Sequence, residues 1–531
     1  MPQTKKKTAK KGGAQTPLLF RLNSTGADLS RRSDCPFWER VSQGYALIIL
    51  TIFPLMIGSE TYYNITETKF AIFAVLTCLY VLSCLVIGFF FRPGKPVGKV
   101  MREQTGVKLT LPQILLCAYV LWSVICAIAS PCSDLFIGQS RYEGMASILL
   151  YSAAFLLLSF WGEYTDAYVY GMGAMGALLG LIAVLQSFGS GMLYPDDYNY
   201  WNLHFLSTIG HEDCVAGIIC ILVPALLCGY VILEGKWRRL CLPGLFFLTY
   251  IMVFTDVDTA KIGFLVVGVM LPCLIESRER LRKLLAGLVP VLLGLALGYA
   301  YHRDRSFAPG AAALVFLLAA VALGLLAWFM SRRERAWKIR PSAIRCAGYV
   351  LMLILLIIAL VVVYGYQGGS RLVTEASELL HGRLSDTAGT WRGYIWKCTL
   401  KLIAERPILG GGPGSFFTLF EPYNAGYQAL VQDEIVIDFP HNDFLSVAAC
   451  TGLVGLALYL AFLVSLAIRC IRKAGKSPVL LIFLAGMAGY LVYSFFVFSI
   501  AIVSPLFWVM AGLADKCVSQ TKGDERLPGH P

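Results

Sequence analysis

The chain has 531 residues, 57% of them hydrophobic and only 15% charged, with 45 basic against 33 acidic residues for a formal net charge of +12. The apolar residues gather in runs of roughly 17–25, the length that crosses about 30 Å of hydrocarbon, which excludes an ordinary soluble domain. A closed β-barrel would show short alternating segments instead.

The first 40 residues, with "KKKTAKK", read as a cytoplasmic tail. No cleavable signal peptide is expected, because the first apolar run follows Pro36 and has no small-residue cleavage site. Candidate spans then lie near 41–58, 69–91, 111–130, 144–161, 167–188, 214–233, 240–256, 259–276, 284–301, 310–330, 344–366, 443–468, 478–499 and 501–517. The divisions inside 240–276 and 478–517 are the least sharply marked. The expected fold is all-α, a polytopic membrane protein of about fourteen transmembrane helices. It divides into a tail (1–40), a bundle of about eleven helices (41–366), a long external loop (367–440), the last helices (441–517) and a second tail (518–531).

The basic segments "RPGKPVGKVMREQTGVK", "EGKWRR", "ESRERLRK", "SRRERAWKIR" and "RCIRKAGK" alternate onto one side together with both termini. That side is expected to be cytoplasmic. Segment 162–166 is an inside loop without basic residues, and "YHRDRSF" at 301–307 is an outside loop with two. This placement of the positive charge argues against a nucleic-acid partner. The 16 cysteines lie mostly inside apolar runs, where they act as small hydrophobes. With no C-x-x-C pair, a zinc site is not expected.

The long loop is expected outside, and its length suggests function. Two helical patterns occur in it. Leu372, Ala376, Leu379 and Arg383 share helical spacing. Trp391, Ile395, Cys398 and Leu402 line one face of 391–405, with Lys397, Lys401 and Glu405 on another. Both helices are expected to lie against the outer membrane surface, and "RPILGGGPG" ends the second.

Four polar clusters fall on the outside face. Arg141-Tyr142-Glu143-Gly144 is either a snorkelling arginine beside a helix start or an anion-binding arginine held by Glu143. "STIGHEDCVAG" (207–217) carries His211, Glu212 and Asp213, which read better as a helix cap than as adjacent metal ligands. "TDVDTAKIGF" (255–264) holds the D-x-D pair Asp256 and Asp258, a cation-binding pattern or a plain N-cap by Asp258 or Thr259. Lys261 follows within the apolar run, where an ionisable group is a functional candidate by default. The fourth cluster runs from Arg392 in "TWRGYIWK" through "ERPILGGGPGSF" to "PHND". "GGGPGS" lacks the Lys of a phosphate-binding P-loop and reads as a tight turn. His441, Asn442 and Asp443 stand after Pro440 at the mouth of a span.

These motifs, in this order, resemble the O-antigen ligase and O-antigen polymerase superfamily of membrane glycosyltransferases. Arg141-Tyr-Glu-Gly is similar to that family's R-x-E-G, and "STIGHEDCVAG" to its GTxGNxNxxA segment. "WRGYIWK…ERPILGGGPGSF…HNDFL…GLVG" is similar to its long external loop and following helix. Two departures stand out. His211 and Asp213 replace the two asparagines, and Val257, Asp258 and Thr259 stand where the family often has Ser-Arg-Gly.

The resemblance implies transfer of a glycan from an isoprenoid diphosphate carrier to an acceptor hydroxyl on a glycan, lipid or protein. It also implies metal-independent, inverting chemistry without a cofactor, on the external face of a bacterial cytoplasmic membrane. The chemistry then assigns roles. His441 is the base or acceptor-positioning residue. Arg141 and Arg392 meet the diphosphate, with Lys261 as a third cation that Asp258 would pair at rest. Glu143 orients an arginine, and Asn442 and Asp443 orient His441 and cap the helix. A lipid-linked sugar flippase or transporter is the alternative, which would more often show internal symmetry and helices broken near the midplane. A noncatalytic relative is the third reading.

Overall fold

The computed structural model describes residues 36–91, 109–188, 193, 206–254, 257–301, 309–332, 340–366, 371–383 and 385–523. In chain order the helices are α1 (Pro36–Leu47), α2 (Ile65–Phe91), α3 (Leu111–Ala129), α4 (Met145–Trp161), α5 (Ala167–Ser187), α6 (Glu212–Ile232), α7 (Cys241–Phe254), α8 (Asp258–Leu274) and α9 (Arg278–Ala300). They continue as α10 (Ala311–Arg332), α11 (Pro341–Tyr364), α12 (Arg371–Leu380), α13 (Arg392–Glu405), α14 (Phe416–Val431), α15 (Asp443–Ala474), α16 (Leu480–Phe496) and α17 (Ser504–Gly523). Among the described residues, nine helices are long and apolar enough to cross a membrane, and α4 and α16 are shorter apolar helices. The protein is an all-α polytopic membrane protein. The two unsharp stretches each resolve into two helices, α7 with α8 and α16 with α17.

The core sits around α6, whose residues from Cys214 to Val231 are all buried. Against it pack α7, α8, α9 and α16. At the other extreme, α11 buries almost nothing and presents its valines, leucines and isoleucines outward, as a helix facing hydrocarbon does. At the end of the bundle opposite the long loop, buried Asp515 of α17 accepts from Arg469 at 2.9 Å, from Ser159 at 2.6 Å and from Thr110 at 3.2 Å. This ties α15, α4 and the start of α3 to α17, and a buried carboxylate persists only when paired in this way.

The first apolar run is not one helix. After α1 the chain forms a π turn (Ile48–Ile52) and a 3₁₀ turn (Phe53–Leu55) around Pro54. The helix stops there, so the carbonyls at its end have no i+4 donor. The fully buried Lys69 of α2 ties them down, donating to Phe53 O at 3.0 Å and Pro54 O at 2.8 Å, with Met56 N and Thr208 Oγ1 as their further donors.

A second break lies in α15. Gly452 takes φ 70° and ψ 178°, outside helical geometry. The glycine-rich stretch docks into the gap. Gly411 N donates to Ala449 O at 3.0 Å, Gly412 N to Cys450 O at 2.7 Å, and Leu453 N to Pro407 O at 2.7 Å. A Cβ at residue 452 would fall 1.9 Å from Ile408 O, so only glycine admits this approach. "GGGPGS" is therefore more than a tight turn: it replaces the hydrogen bonds that the broken helix cannot make for itself.

The long loop carries its own small core. Ile395, Cys398 and Leu402 of α13 pack with Phe416, Phe420 and Tyr427 of α14, and with Ala448 and Ala449 of α15. Both helices expected from periodicity are present as α12 and α13, and α14 is a third.

Candidate functional site

Three chain segments meet where the loop joins the bundle. The first is the 137–144 turn, in which Arg141 and Tyr142 both adopt left-handed backbone, φ 51° and 61°. It packs backbone to backbone on the glycine-rich stretch. A Cβ on Gly414, at φ +74°, would lie 2.8 Å from Gly138 Cα. The second is the start of α13, preceded by Thr390 and Trp391, again left-handed at φ 59° and 70°. The third is Asp438 to Asp443, where His441 has φ 51°. Such conformations cost about 1–3 kcal/mol each for a non-glycine residue and gather at functional sites. Here each one stands within two residues of Arg141, Arg392 or His441.

Neighbouring groups hold these segments in register. Trp396 Nε1 of α13 donates to Pro440 O at 2.9 Å, and Ile437 N donates to the Asn424 side chain of α14 at 3.0 Å. The guanidinium of Arg141 forms a two-pronged pair with Asp438, Nε to Oδ2 at 2.7 Å and Nη2 to Oδ1 at 3.1 Å. Ser140 Oγ adds a third donor to the same carboxylate at 3.1 Å. The Phe498 ring, between α16 and α17, supports both groups, with the Arg141 carbon 4.1 Å and the His441 ring 5.6 Å from its centroid.

The electrostatics follow from this crowding. Burial is the largest single influence on Arg141 and lowers its proton affinity, but the charge and hydrogen bonds of Asp438 with smaller neighbouring contributions together outweigh it and raise the guanidinium above its ordinary value. Burial likewise opposes the Asp438 charge, and Arg141 overrides it and holds the carboxyl below its usual range. His441 is pushed down to about 4, first by burial and then by the Arg392 charge, with Arg141 adding to the effect and Asp213 and Asp438 opposing it. Its imidazole is neutral at pH 7, and its Nδ1 is enclosed without a hydrogen-bond partner. The same holds for Arg392 Nε, and no carboxylate pairs with Arg392 among the described residues.

Three helix starts surround His441. Arg392 is the first residue of α13, Asn442 is the N-cap of α15 with its side chain accepting from Leu445 N at 2.9 Å, and Asp213 lies in the first turn of α6. Helix N-termini carry unsatisfied N–H groups and partial positive charge. Their partial positive charge acts in the same direction as the unpaired Arg392, although Asn442 and His211 already cap two of the three starts.

The structure thus brings Arg141, Arg392 and His441 together. It corrects Glu143. The carboxylate that orients Arg141 is Asp438, and Glu143 instead accepts from Tyr151 Oη at 2.7 Å. Burial pushes Glu143 up to about 8, so it holds its proton at pH 7 and is no counter-ion. It lines a cavity of about 70 Å³ with Ser140, Asp438, Asp443 and Tyr459, room for roughly five waters. Asp443 faces inward too, with Tyr459 Oη 3.5 Å away, so the cap is Asn442 alone. His211 caps α6, its Nδ1 accepting from Asp213 N at 3.2 Å. Lys261 is engaged by Asp258 at 2.9 Å in the first turn of α8, both side chains well exposed. Asp256 lies outside the described residues. Asp438 and Phe498 were not singled out from sequence, and the one available signal was an isolated acid within the apolar stretch "VIDF".

Residues 310–460 match the family model described as O-Antigen ligase. The match runs from α10 to the first half of α15 and includes Arg392, Asp438 and His441, while Arg141 and Asp213 lie outside it. A comparison with curated proteins gives no match. The family match supports the O-antigen ligase superfamily and, in general terms, O-antigen ligase-like membrane glycosyltransferase activity in polysaccharide biosynthesis.

Proposed function

We propose, with membership of the O-antigen ligase superfamily as the premise, that this chain transfers a glycan from an isoprenoid diphosphate carrier to an acceptor hydroxyl on the external face of the plasma membrane. The observation that carries this reading is the convergence of the unpaired Arg392 and of Arg141 on a neutral His441 whose Nδ1 has no partner, where the start of α13 meets the start of α15.

The diphosphate lies against Arg392, whose planar fork matches phosphate oxygens. Arg141 already has its Nε and Nη2 engaged by Asp438 and contributes charge from behind. The acceptor oxygen attacks the anomeric carbon as the bond to the diphosphate oxygen breaks, which inverts that centre. The acceptor proton passes to His441, and the carrier diphosphate leaves as an anion held by Arg392 and the helix starts. No metal takes part in these steps. Before the donor binds, Arg392 and Arg141 both depress His441. A bound diphosphate cancels much of their charge, so the imidazole becomes a stronger base when the leaving group is in place.

The isoprenoid tail stays in lipid while the headgroup reaches the site. Labelling of single cysteines added at 425 and 475 in intact cells tests that placement, with 425 labelled and 475 protected as the expected result. Equilibrium binding of inorganic diphosphate to the purified full chain tests the anion site. Arg392→Ala should weaken binding by at least about tenfold, and Arg392→Lys less, because lysine keeps the charge and loses the fork. Equal binding by wild type and Arg392→Ala would remove Arg392 from the site.

A further inference from the structure

Glu143 and Asp443 take no part in the transfer steps, yet both face the cavity of about 70 Å³. Glu143 stands two residues after Arg141, and Asp443 two residues after His441. Three carboxylates line the cavity, and among the described residues no Lys, Arg or His does. Asp438 is balanced by Arg141 at 2.7 Å. The other two meet only hydroxyls, Tyr151 Oη at 2.7 Å on Glu143 and Tyr459 Oη at 3.5 Å from Asp443, with Ser499 beside both. A carboxylate taken out of water needs a proton or a cation. Glu143 keeps its proton, which leaves Asp443 as the unbalanced charge. The start of α15 offsets about half of it. A second, independent feature points to a ligand. Ser152 of α4 is only 4% exposed, lines the same cavity, and its Oγ has no hydrogen-bond partner. A helical serine commonly donates to the carbonyl one turn before it, as Ser123 does to Tyr119 O at 2.9 Å. The Ser152 hydroxyl does not, and is free to serve the cavity. All of these donors are hard oxygens, which suit alkali and alkaline-earth ions. One unbalanced charge favours a monovalent ion, as does the lack, among the described residues, of any group of three His, Cys, Asp or Glu at one point.

We propose that this cavity binds an alkali cation, sodium or potassium, between Glu143 and Asp443, and so ties the turn that carries Arg141 to the turn that carries His441. Asp443 supplies the charge. The carboxyl oxygen of Glu143 and the hydroxyls of Ser152 and Ser499 supply further ligands, and water completes the shell, for which the cavity has room. The ion makes and breaks no bond in the transfer. Chelators of divalent metals do not remove it, so it is compatible with chemistry that needs no metal at the reacting atoms. Its purpose, holding Arg141 and His441 in register, rests on the glycosyltransferase reading; its binding does not.

The test is thermal unfolding of the full chain in lipid nanodiscs, with sodium or potassium chloride exchanged for N-methylglucamine chloride at constant ionic strength and neutral pH. An ion that binds only the folded chain stabilises it more as its concentration rises. The midpoint should therefore climb with sodium or potassium and stay flat in N-methylglucamine, which is too large for the cavity. Asp443→Asn should abolish the climb. Ser152→Ala removes a hydroxyl that has no hydrogen bond to lose, so it should fold normally and move the climb to about tenfold higher salt, the worth of one ligand oxygen. A midpoint that is the same in all three salts overturns the proposal, and so does an unchanged climb in either variant. If Asp443→Asn does not fold, Ser152→Ala decides. On carrier-linked glycan, transfer should be about tenfold faster in sodium or potassium than in N-methylglucamine. Equal rates overturn the tie between Arg141 and His441. A chain that shows the climb but transfers no glycan in any salt would overturn the functional reading and leave the ion site standing.

Discussion

Replacing Asp438 by asparagine removes one negative charge and almost no volume, so it isolates what the pair with Arg141 contributes. Breaking a fully buried ion pair costs about 3–5 kcal/mol, because the surviving charge is left in low dielectric. Pairs in free solvent contribute under about 1 kcal/mol. Here both side chains are 26% exposed and the contacts are two-pronged at 2.7 and 3.1 Å, so an intermediate cost of about 2 kcal/mol is expected. The asparagine oxygen still accepts one guanidinium N–H, which is why the cost stays below the buried limit. Denaturant titration of the purified chain, run as a double-mutant cycle with Arg141→Met, should give a coupling of about 1–2 kcal/mol. The pH dependence has a definite sign. Asp438 is held below its ordinary 3.8, so its contribution is fully present above that value and is lost as pH falls through the depressed one. That acid-side loss should be missing in Asp438→Asn. The same variant frees the Arg141 fork, so inorganic diphosphate should bind more tightly although the fold is weaker. Additive single effects, or diphosphate affinity that falls, would refute the claim that Asp438 holds Arg141 in reserve.

In the pH–rate profile, the acid limb of kcat/KM should lie near 4, where the donor-free His441 gains its proton, and the limb of kcat should lie higher, because the diphosphate offsets Arg392 and Arg141. Coincident limbs would mean that the diphosphate binds away from His441. Gly452→Ala should destabilise the chain by about 3 kcal/mol or more, since its Cβ would meet Ile408 O at 1.9 Å, whereas Gly475→Ala, with open space around it, should be neutral in the same thermal melt. The double variant Asp258→Asn, Lys261→Met should transfer glycan within about twofold of wild type, because that pair is well exposed in the first turn of α8 while the cations acting on His441 are Arg392 and Arg141. A severe loss in the transfer assay would instead put Lys261 on the diphosphate.

Much of the helical architecture is legible in the apolar runs, because a helix that crosses hydrocarbon must be apolar along its length and satisfies its own backbone. The breaks are not. The run through Gly452 is as apolar as its neighbours, and its kink depends on residues 407–412 arriving from elsewhere in the chain. Helix α14 escaped notice because Pro422 and Gly426 interrupt a pattern that tertiary packing nevertheless completes. At the site, Arg141, Arg392 and His441 stand out as ionisable groups at the mouths of apolar runs. Asp438 does not, because its meaning lies in a partner 297 residues away. Glu143 drew attention by adjacency to Arg141, but two consecutive left-handed residues turn the chain between them and send the acid to Tyr151. His211 and Asp213 look like one cap in sequence. In three dimensions the histidine alone is the cap of α6, and Asp213 contributes to it only its backbone N–H.

The central claim is that His441 receives the proton of an acceptor hydroxyl as the carrier diphosphate departs. Its most direct test is the rate of glycan transfer from an isoprenoid diphosphate-linked donor by the purified full chain in lipid with excess chelator, wild type against His441→Ala. Wild type should transfer, and His441→Ala should be slower by about 10²–10⁴-fold while still binding the carrier. A His441→Ala protein that transfers at the wild-type rate, or a wild type that carries the donor across the bilayer without forming a new glycosidic bond, would contradict it.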